Sequence, residues 1–279
     1  MDALVSTEWL ARELGAHDLS VLDATYFLPE HGRDASAEHE TAHIPGALFL
    51  DLATLRDLGS PHPNMLPSPD RFAERLRELG VGERDRVVLY DDSPLRSAAR
   101  AWWMFRTFGA REVAILDGGL AKWRAEGRSV ARGRERREPR AFAAHPDLSR
   151  VRSLDQMRAN LSSGAEQVLD ARSAARFTGE EPDPRAHIAP GHIPGSRNLH
   201  YADLFEADGT WKREPALRAA FERAGVDLRR PFVTTCNSGV TAGVLLFAAY
   251  LLGADAALYD GSWSEWGADS ETPKAVGPA

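Results

Sequence analysis

Two strings of this 279-residue chain occur twice and a third recurs in altered form, in the same order. Val21-Leu22-Asp23-Ala24 returns as Val168-Leu169-Asp170-Ala171, and His43-Ile44-Pro45-Gly46 returns as His192-Ile193-Pro194-Gly195. Leu116-Asp117-Gly118-Gly119 with Trp123 returns as Tyr259-Asp260-Gly261-Ser262 with Trp266. The offset stays between 143 and 149 residues, far beyond the roughly 20–50 residues of a solenoid unit. Such a repeat predicts two copies of one fold, each long enough to bury its own core. The first copy spans residues 1–128 and the second 148–279, with 129–147 between them. That linker contains Arg132-Gly133-Arg134-Glu135-Arg136-Arg137-Glu138-Pro139-Arg140. Its mixed charges and lack of an apolar period suit a solvated connection wrapping one domain onto the other.

Both copies alternate short apolar runs with helical patterns, the signature of an α/β domain whose mostly parallel sheet is flanked by helices. In the first, residues 19–23, 87–91 and 113–117 read as strands, rich in valine and leucine and ended by aspartate. Ser68-Pro69 reads as an N-cap with proline at the first helical position. The helix that follows carries Phe72, Leu76 and Leu79 at helical spacing and stops at Gly80. A second helix, 98–108, turns Trp102, Trp103 and Phe105 to a core. In the second copy the strands are 167–171, 232–235 and 256–259, and Ser153 to Gln156 has the spacing of a capping box.

The only cysteine, Cys236, ends the strand at 232–235, and a turn containing Gly239 then opens an apolar helix at 244–252. A thiol so placed faces backbone N–H groups that have no intrahelical partner. The position favours an anion, hence a thiolate or persulfide. The bland alternative is an inert core cysteine. Superposing the copies sets Tyr90-Asp91-Asp92-Ser93 against Thr235-Cys236-Asn237-Ser238. A carboxylate cannot carry a sulfur atom as a persulfide does, so only the second copy can be a thiol site.

Composition narrows the classes further. A net charge of −7 argues against nucleic acid as a partner. No apolar run reaches membrane-spanning length, so no membrane partner is expected. One cysteine allows no internal disulfide and suits a reducing cytosol. The N-terminal residues lack the basic and apolar regions of a signal peptide, so a cytoplasmic location is expected.

The tandem repeat, the paired His-Ile-Pro-Gly strings, the Asp-Gly-Gly and Asp-Gly-Ser-Trp strings and Cys236-Asn237-Ser238-Gly239-Val240-Thr241 together resemble the two-domain rhodanese superfamily, over about residues 4–266. The resemblance implies two tandem rhodanese-like domains, with catalysis in the C-terminal one. It also implies a sulfurtransferase: the cysteine takes sulfur from a small-molecule donor and passes it to cyanide or a thiol acceptor, such as thioredoxin or a low-molecular-weight thiol. No metal or organic cofactor is implied. Members specific for thiosulfate carry Cys-Arg-Lys-Gly-Val-Thr, whereas members using 3-mercaptopyruvate carry Cys-Gly-Ser-Gly-Val-Thr. The uncharged Asn237 and Ser238 favour the second donor, and Asn237 departs from its usual glycine. Arg176 and Arg185 match the arginines that hold a 2-oxo acid, a task for which a bidentate guanidinium fork is suited. Asp34, His43 and Ser238 match a serine–histidine–aspartate relay. Against this stands His192, the twin of His43, which gives the tetrapeptide an equally good structural reading.

Thiosulfate as donor is the alternative within the same chemistry. A cysteine phosphatase would need an arginine after five intervening residues, where Ala242 stands. A non-catalytic binding module fits Asp91 in the first copy but not an intact cysteine loop in the second.

Overall fold

The computed structural model describes residues 1–279 and turns the duplication into two five-stranded sheets, each wholly parallel. In chain order the first copy runs β1 (Leu4–Val5), α1 (Thr7–Glu13), β2 (Leu19–Asp23), α2 (Ala35–Thr41), β3 (Leu48–Phe49), α3 (Pro69–Glu78), β4 (Arg86–Tyr90), α4 (Ala98–Thr107), β5 (Val113–Leu116) and α5 (Gly119–Ala125). The second runs β6 (Val151–Arg152), α6 (Leu154–Ser163), β7 (Gln167–Asp170), α7 (Ala174–Thr178), β8 (Arg197–Asn198), α8 (Glu214–Arg223), β9 (Phe232–Thr235), α9 (Ala242–Leu251), β10 (Ala256–Tyr259) and α10 (Ser262–Trp266). The strand orders, β1-β5-β4-β2-β3 and β6-β10-β9-β7-β8, are the same order repeated.

Local chemistry explains why the elements start where they do. Ser68 accepts the Arg71 N–H at the start of α3, with Pro69 in the first turn, where its missing donor costs nothing. Ser153 and Gln156 close a reciprocal capping box on α6. The strands β4 and β9 lie in the middle of their sheets, buried on both faces, which is why they read as unbroken apolar runs. The helices that follow them, α4 and α9, are buried along almost their whole length, and α9 has no polar face. Trp123 sits in the first core, and Trp263 and Trp266 sit in the second. No helix is long and apolar enough to cross a membrane.

Contacts divide the chain into two compact units that do not follow the repeat at every residue. Unit 1 gathers Met1–Leu58, Leu66–Asp147 and Phe205–Trp211, and unit 2 gathers Gly59–Met65, Leu148–Leu204 and Lys212–Ala279. Each unit therefore incorporates a seven-residue segment from the other half of the sequence. Residues 129–147 also differ from a free connection. Their backbone is bound along unit 1, with Ala141 O accepting Glu83 N, His145 N donating to Phe108 O and Asp147 N donating to Thr107 O. The charged side chains of that stretch stay mostly exposed, so its composition reads as a linker while its backbone is tied down.

Candidate active site

Cys236 follows the last residue of β9 and is almost fully buried. Two rows of hydrogen bonds fix its backbone. Its carbonyl accepts the Trp263 N–H at 3.0 Å, and its N–H donates to Ser262 Oγ at 3.3 Å. The next carbonyl, Asn237 O, accepts from Ser264 N at 2.8 Å and from Ser264 Oγ at 2.6 Å. The first turn of α10 thus clamps the start of the loop. Gly239 then takes a φ of 77°, a left-handed conformation that a side chain would strain. Thr241 is the N-cap of α9 and makes no side-chain cap bond, which leaves the positive end of that helix turned toward the loop.

Unit 1 shows what this frame does with an acid. The Asp91 carbonyl accepts Leu120 N at 3.2 Å, as Cys236 O accepts Trp263 N, so the two positions are structurally equivalent. The Asp91 carboxylate accepts the loop's own N–H groups, Ser93 N at 3.1 Å and Ala98 N at 2.7 Å. The turn is therefore an anion cradle in unit 1. In unit 2 the residue at its head has a sulfur and no oxygen to fill it.

The arginines named from the sequence belong to one cluster in unit 2. Arg185 is bound by the Asp183 carboxylate through Nε at 2.8 Å and Nη2 at 2.9 Å. Its outer edge reaches Asn237 Oδ1 at 3.2 Å and Ser264 Oγ at 3.1 Å. The guanidinium is therefore attached to the residue next to Cys236, and Asn237 is the side chain that attaches it. Burial works against ionisation of Asp183, but the hydrogen bonds from Arg185 and the charges of Arg185 and Arg176 outweigh it. Asp183 is held below its ordinary value as a result. Arg176, on α7, pairs with Glu181 at 2.8 Å and lies in the same electrostatic group.

Of the relay expected of Asp34, His43 and Ser238, the first two residues belong to unit 1 and the third to unit 2. Asp34 is the N-cap of α2, its carboxylate accepting Ala37 N at 3.0 Å. His43 is fully buried, its Nδ1 paired with His39 O at 2.8 Å and its ring stacked 4.2 Å from that of His39. Its Nε2 has no hydrogen-bond partner, Glu135 lying 3.9 Å away. His192 repeats the arrangement: Nδ1 pairs with Phe177 O at 2.9 Å and the ring stacks on Phe177 at 3.8 Å. Each of these histidines also bridges through its backbone to a distant alanine, Ala131 or Ala275. The shared tetrapeptide thus pins chain segments in both copies. The partner of Ser238 is instead Asn64, whose Nδ2 donates to Ser238 Oγ at 3.0 Å within unit 2. Residue patterns did not single out Asn64, because it belongs to a Pro-rich stretch with no counterpart string in the second half.

The candidate site thus holds a thiol at the head of the turn, with a carboxylate-clamped arginine attached to the same turn. Comparison with known proteins gives the site its family. The Rhodanese-like domain model matches residues 6–126 and 153–269. Human 3-mercaptopyruvate sulfurtransferase is 44% identical over 271 residues, 95% of this chain and 91% of that protein. Thiosulfate sulfurtransferase of Cricetulus griseus is 43% identical over 272 residues, with the same coverage of 95% and 91%. The crystal structure of SseA from Escherichia coli, described as a 3-mercaptopyruvate sulfotransferase, superposes with a TM-score of 0.87 at 37% identity over 95% of this chain and 100% of that one. The chain belongs to the rhodanese family.

Proposed function

We propose that this sulfurtransferase takes sulfane sulfur from 3-mercaptopyruvate onto Cys236 and delivers it to a thiol. The Cys236 thiolate attacks the donor sulfur, the S–S bond forms, the C–S bond breaks, and its electron pair passes to the enolate of pyruvate. Protonation of the enolate carbon releases pyruvate and leaves the Cys236 persulfide, which the loop of Asn237, Gly239, Val240 and Thr241 surrounds. The observation that carries the donor assignment is the attachment of the Arg185 fork to Asn237 Oδ1, one residue from the nucleophile. A donor carboxylate competes there with two neutral oxygens, those of Asn237 and Ser264, and a charge-assisted hydrogen bond is about twice as strong as a neutral one. Arg176 adds a second positive charge to the same cluster. No cation occupies positions 237 or 238 to attract a doubly charged donor.

Thiosulfate remains a second reading, favoured by relatives of that name at similar identity. A comparison of kcat/KM for the two donors, repeated with Arg185→Ala, separates them. Mercaptopyruvate turnover is expected to dominate and to fall about 100-fold in the variant, the scale of losing a paired, charged contact. Preference for thiosulfate that ignores Arg185 would overturn the donor assignment. Thioredoxin or a small thiol is the acceptor that regenerates Cys236, and a reducing compartment such as the cytoplasm would keep that acceptor reduced.

A further inference from the structure

The segment Gly59–Met65 comes from the N-terminal half of the chain but belongs to unit 2. Its residue Asn64 is 7% exposed and has a φ of 60°, left-handed backbone that asparagine tolerates better than most residues. The side-chain amide donates to Ser238 Oγ at 3.0 Å, in a buried contact two residues from Cys236. Such a bond links residues 174 positions apart and fixes a hydroxyl that is itself 6% exposed.

We propose that Asn64 is the positioning residue of the transfer site, and that it makes Ser238 a fixed hydrogen-bond donor rather than a member of a proton relay. The inference rests on the sulfur-transfer reading of Cys236. The chemistry follows from the donor and acceptor inventory. An amide NH₂ has two hydrogens to give and, at that nitrogen, no lone pair to take one. By donating to Ser238 Oγ it occupies one acceptor site of the hydroxyl and turns the hydroxyl hydrogen away from itself. Ser238 cannot hand its proton to such a partner, as it could to an imidazole. It can aim the hydrogen at an anion, and the oxygen of the departing enolate is the anion that develops during C–S cleavage. A preorganised donor of this kind acts on charge that appears only in the transition state. In this account the enolate carbon takes its proton from solvent. The nearest histidine of the segment, His62, faces Glu265 at 3.9 Å, and no hydrogen bond joins it to Ser238.

The test is a double-mutant cycle read as kcat and KM for pyruvate release, with the persulfide on Cys236 followed by mass spectrometry. Asn64→Gly keeps the left-handed backbone and removes the amide. Asn64→Asp keeps the shape and reverses the bond, since a carboxylate accepts from Ser238 and draws its hydrogen inward. Each variant, like Ser238→Ala, is expected to lower kcat by at least about 10-fold while KM stays within about twofold, as for a lost transition-state donor. The Asn64→Gly, Ser238→Ala double variant is expected to be no slower than Ser238→Ala alone, because Asn64 acts through that hydroxyl. Losses that multiply in the double variant overturn the proposal, as does a full-rate Asn64→Asp. If Asn64→Gly fails to fold, the isosteric Asn64→Asp decides alone. A wild-type chain that puts no sulfur on Cys236 defeats the sulfur-transfer reading instead, so the two failures are distinguishable.

Discussion

The turn headed by Asp91 and the turn headed by Cys236 are built on the same frame and finished in opposite ways. Both follow the central strand of a five-stranded parallel sheet, and both are held by an N–H from the first turn of a short helix. In unit 1 the carboxylate folds back onto Ser93 N and Ala98 N, so the cradle is filled by its own side chain. Burial drives the Asp91 carboxyl up to about 6, while those N–H groups and the Arg96 charge pull the other way. In unit 2 a thiol heads the turn, and an arginine is attached beside it through Asn237. The difference teaches that one frame can be headed by an acid that takes up its loop N–H groups or by a thiol that does not. Whether it does chemistry depends on whether the head residue completes the site or leaves it to an anion formed in turnover.

Exchanging the two heads is the strongest way to break this comparison. Cys236→Ser removes the proposed nucleophile and is expected to lower transfer by at least about 10³-fold, with no sulfur retained on the protein. Asp91→Cys in the same background restores a thiol on an equivalent frame and is expected to recover nothing. Unit 1 has Pro94 where unit 2 has Gly239, so that turn lacks an N–H donor and the left-handed glycine. Sulfur found on residue 91 after exposure to donor would show that the frame alone suffices.

A smaller effect tests how the cradle is filled. The carboxyl of Asp91 rises in the folded state from an ordinary 3.8 to about 6. An acid shifted upward favours folding when protonated, so its contribution is complete below about pH 4 and lost as pH climbs through about 6. A shift of about two pH units corresponds to roughly 3 kcal/mol for a group this deeply buried. Asp91→Asn should remove that slope, so urea unfolding at pH 4 and pH 7 should show a gap between wild type and variant that changes with pH. Parallel profiles would mean that the N–H groups of the loop, not burial, dominate the ionisation of Asp91.

The same contrast explains what the sequence made legible. The repeat, the six long strands, the capping residues Ser68 and Ser153 and the thiol of Cys236 all leave local signals, because period, cap chemistry and a lone thiol are local facts. The edge strands β1, β3, β6 and β8 have two residues each, too few for any period to show. Arg176 and Arg185 were legible only through resemblance to a family. The carboxylate clamp on Arg185 is a matter of side-chain geometry, although Asp183 lies only two positions away. Asn64 was illegible for a deeper reason. Its contact depends on which distant segment a side chain meets, and no pattern along the chain encodes that meeting.

The least disruptive way to sharpen the comparison lies in the turn that clamps each head. Gly119 has a φ of 56° and its counterpart Ser262 a φ of 51°, yet only the second carries a side chain. A Cβ on Gly119 would stand 2.4 Å from Asp91 O, a backbone atom that cannot step aside. Gly119→Ala should therefore destabilise the protein by about 2–3 kcal/mol, the range for overpacking a buried site. Ser262 tolerates the conformation because its hydroxyl accepts from Cys236 N and donates to Tyr259 O at 2.9 Å. Ser262→Gly relieves left-handed strain worth about 1–2 kcal/mol and forfeits hydrogen bonds worth about 1 kcal/mol each, so stability should change by less than about 1 kcal/mol. Sulfur loading should still slow by several-fold (roughly 1 kcal/mol of barrier), because the N–H of Cys236 loses its fixed acceptor. If Ser262→Gly instead unfolds the protein as readily as Gly119→Ala while loading proceeds at the wild-type rate, the serine serves the fold alone, and the two turns differ only at their heads.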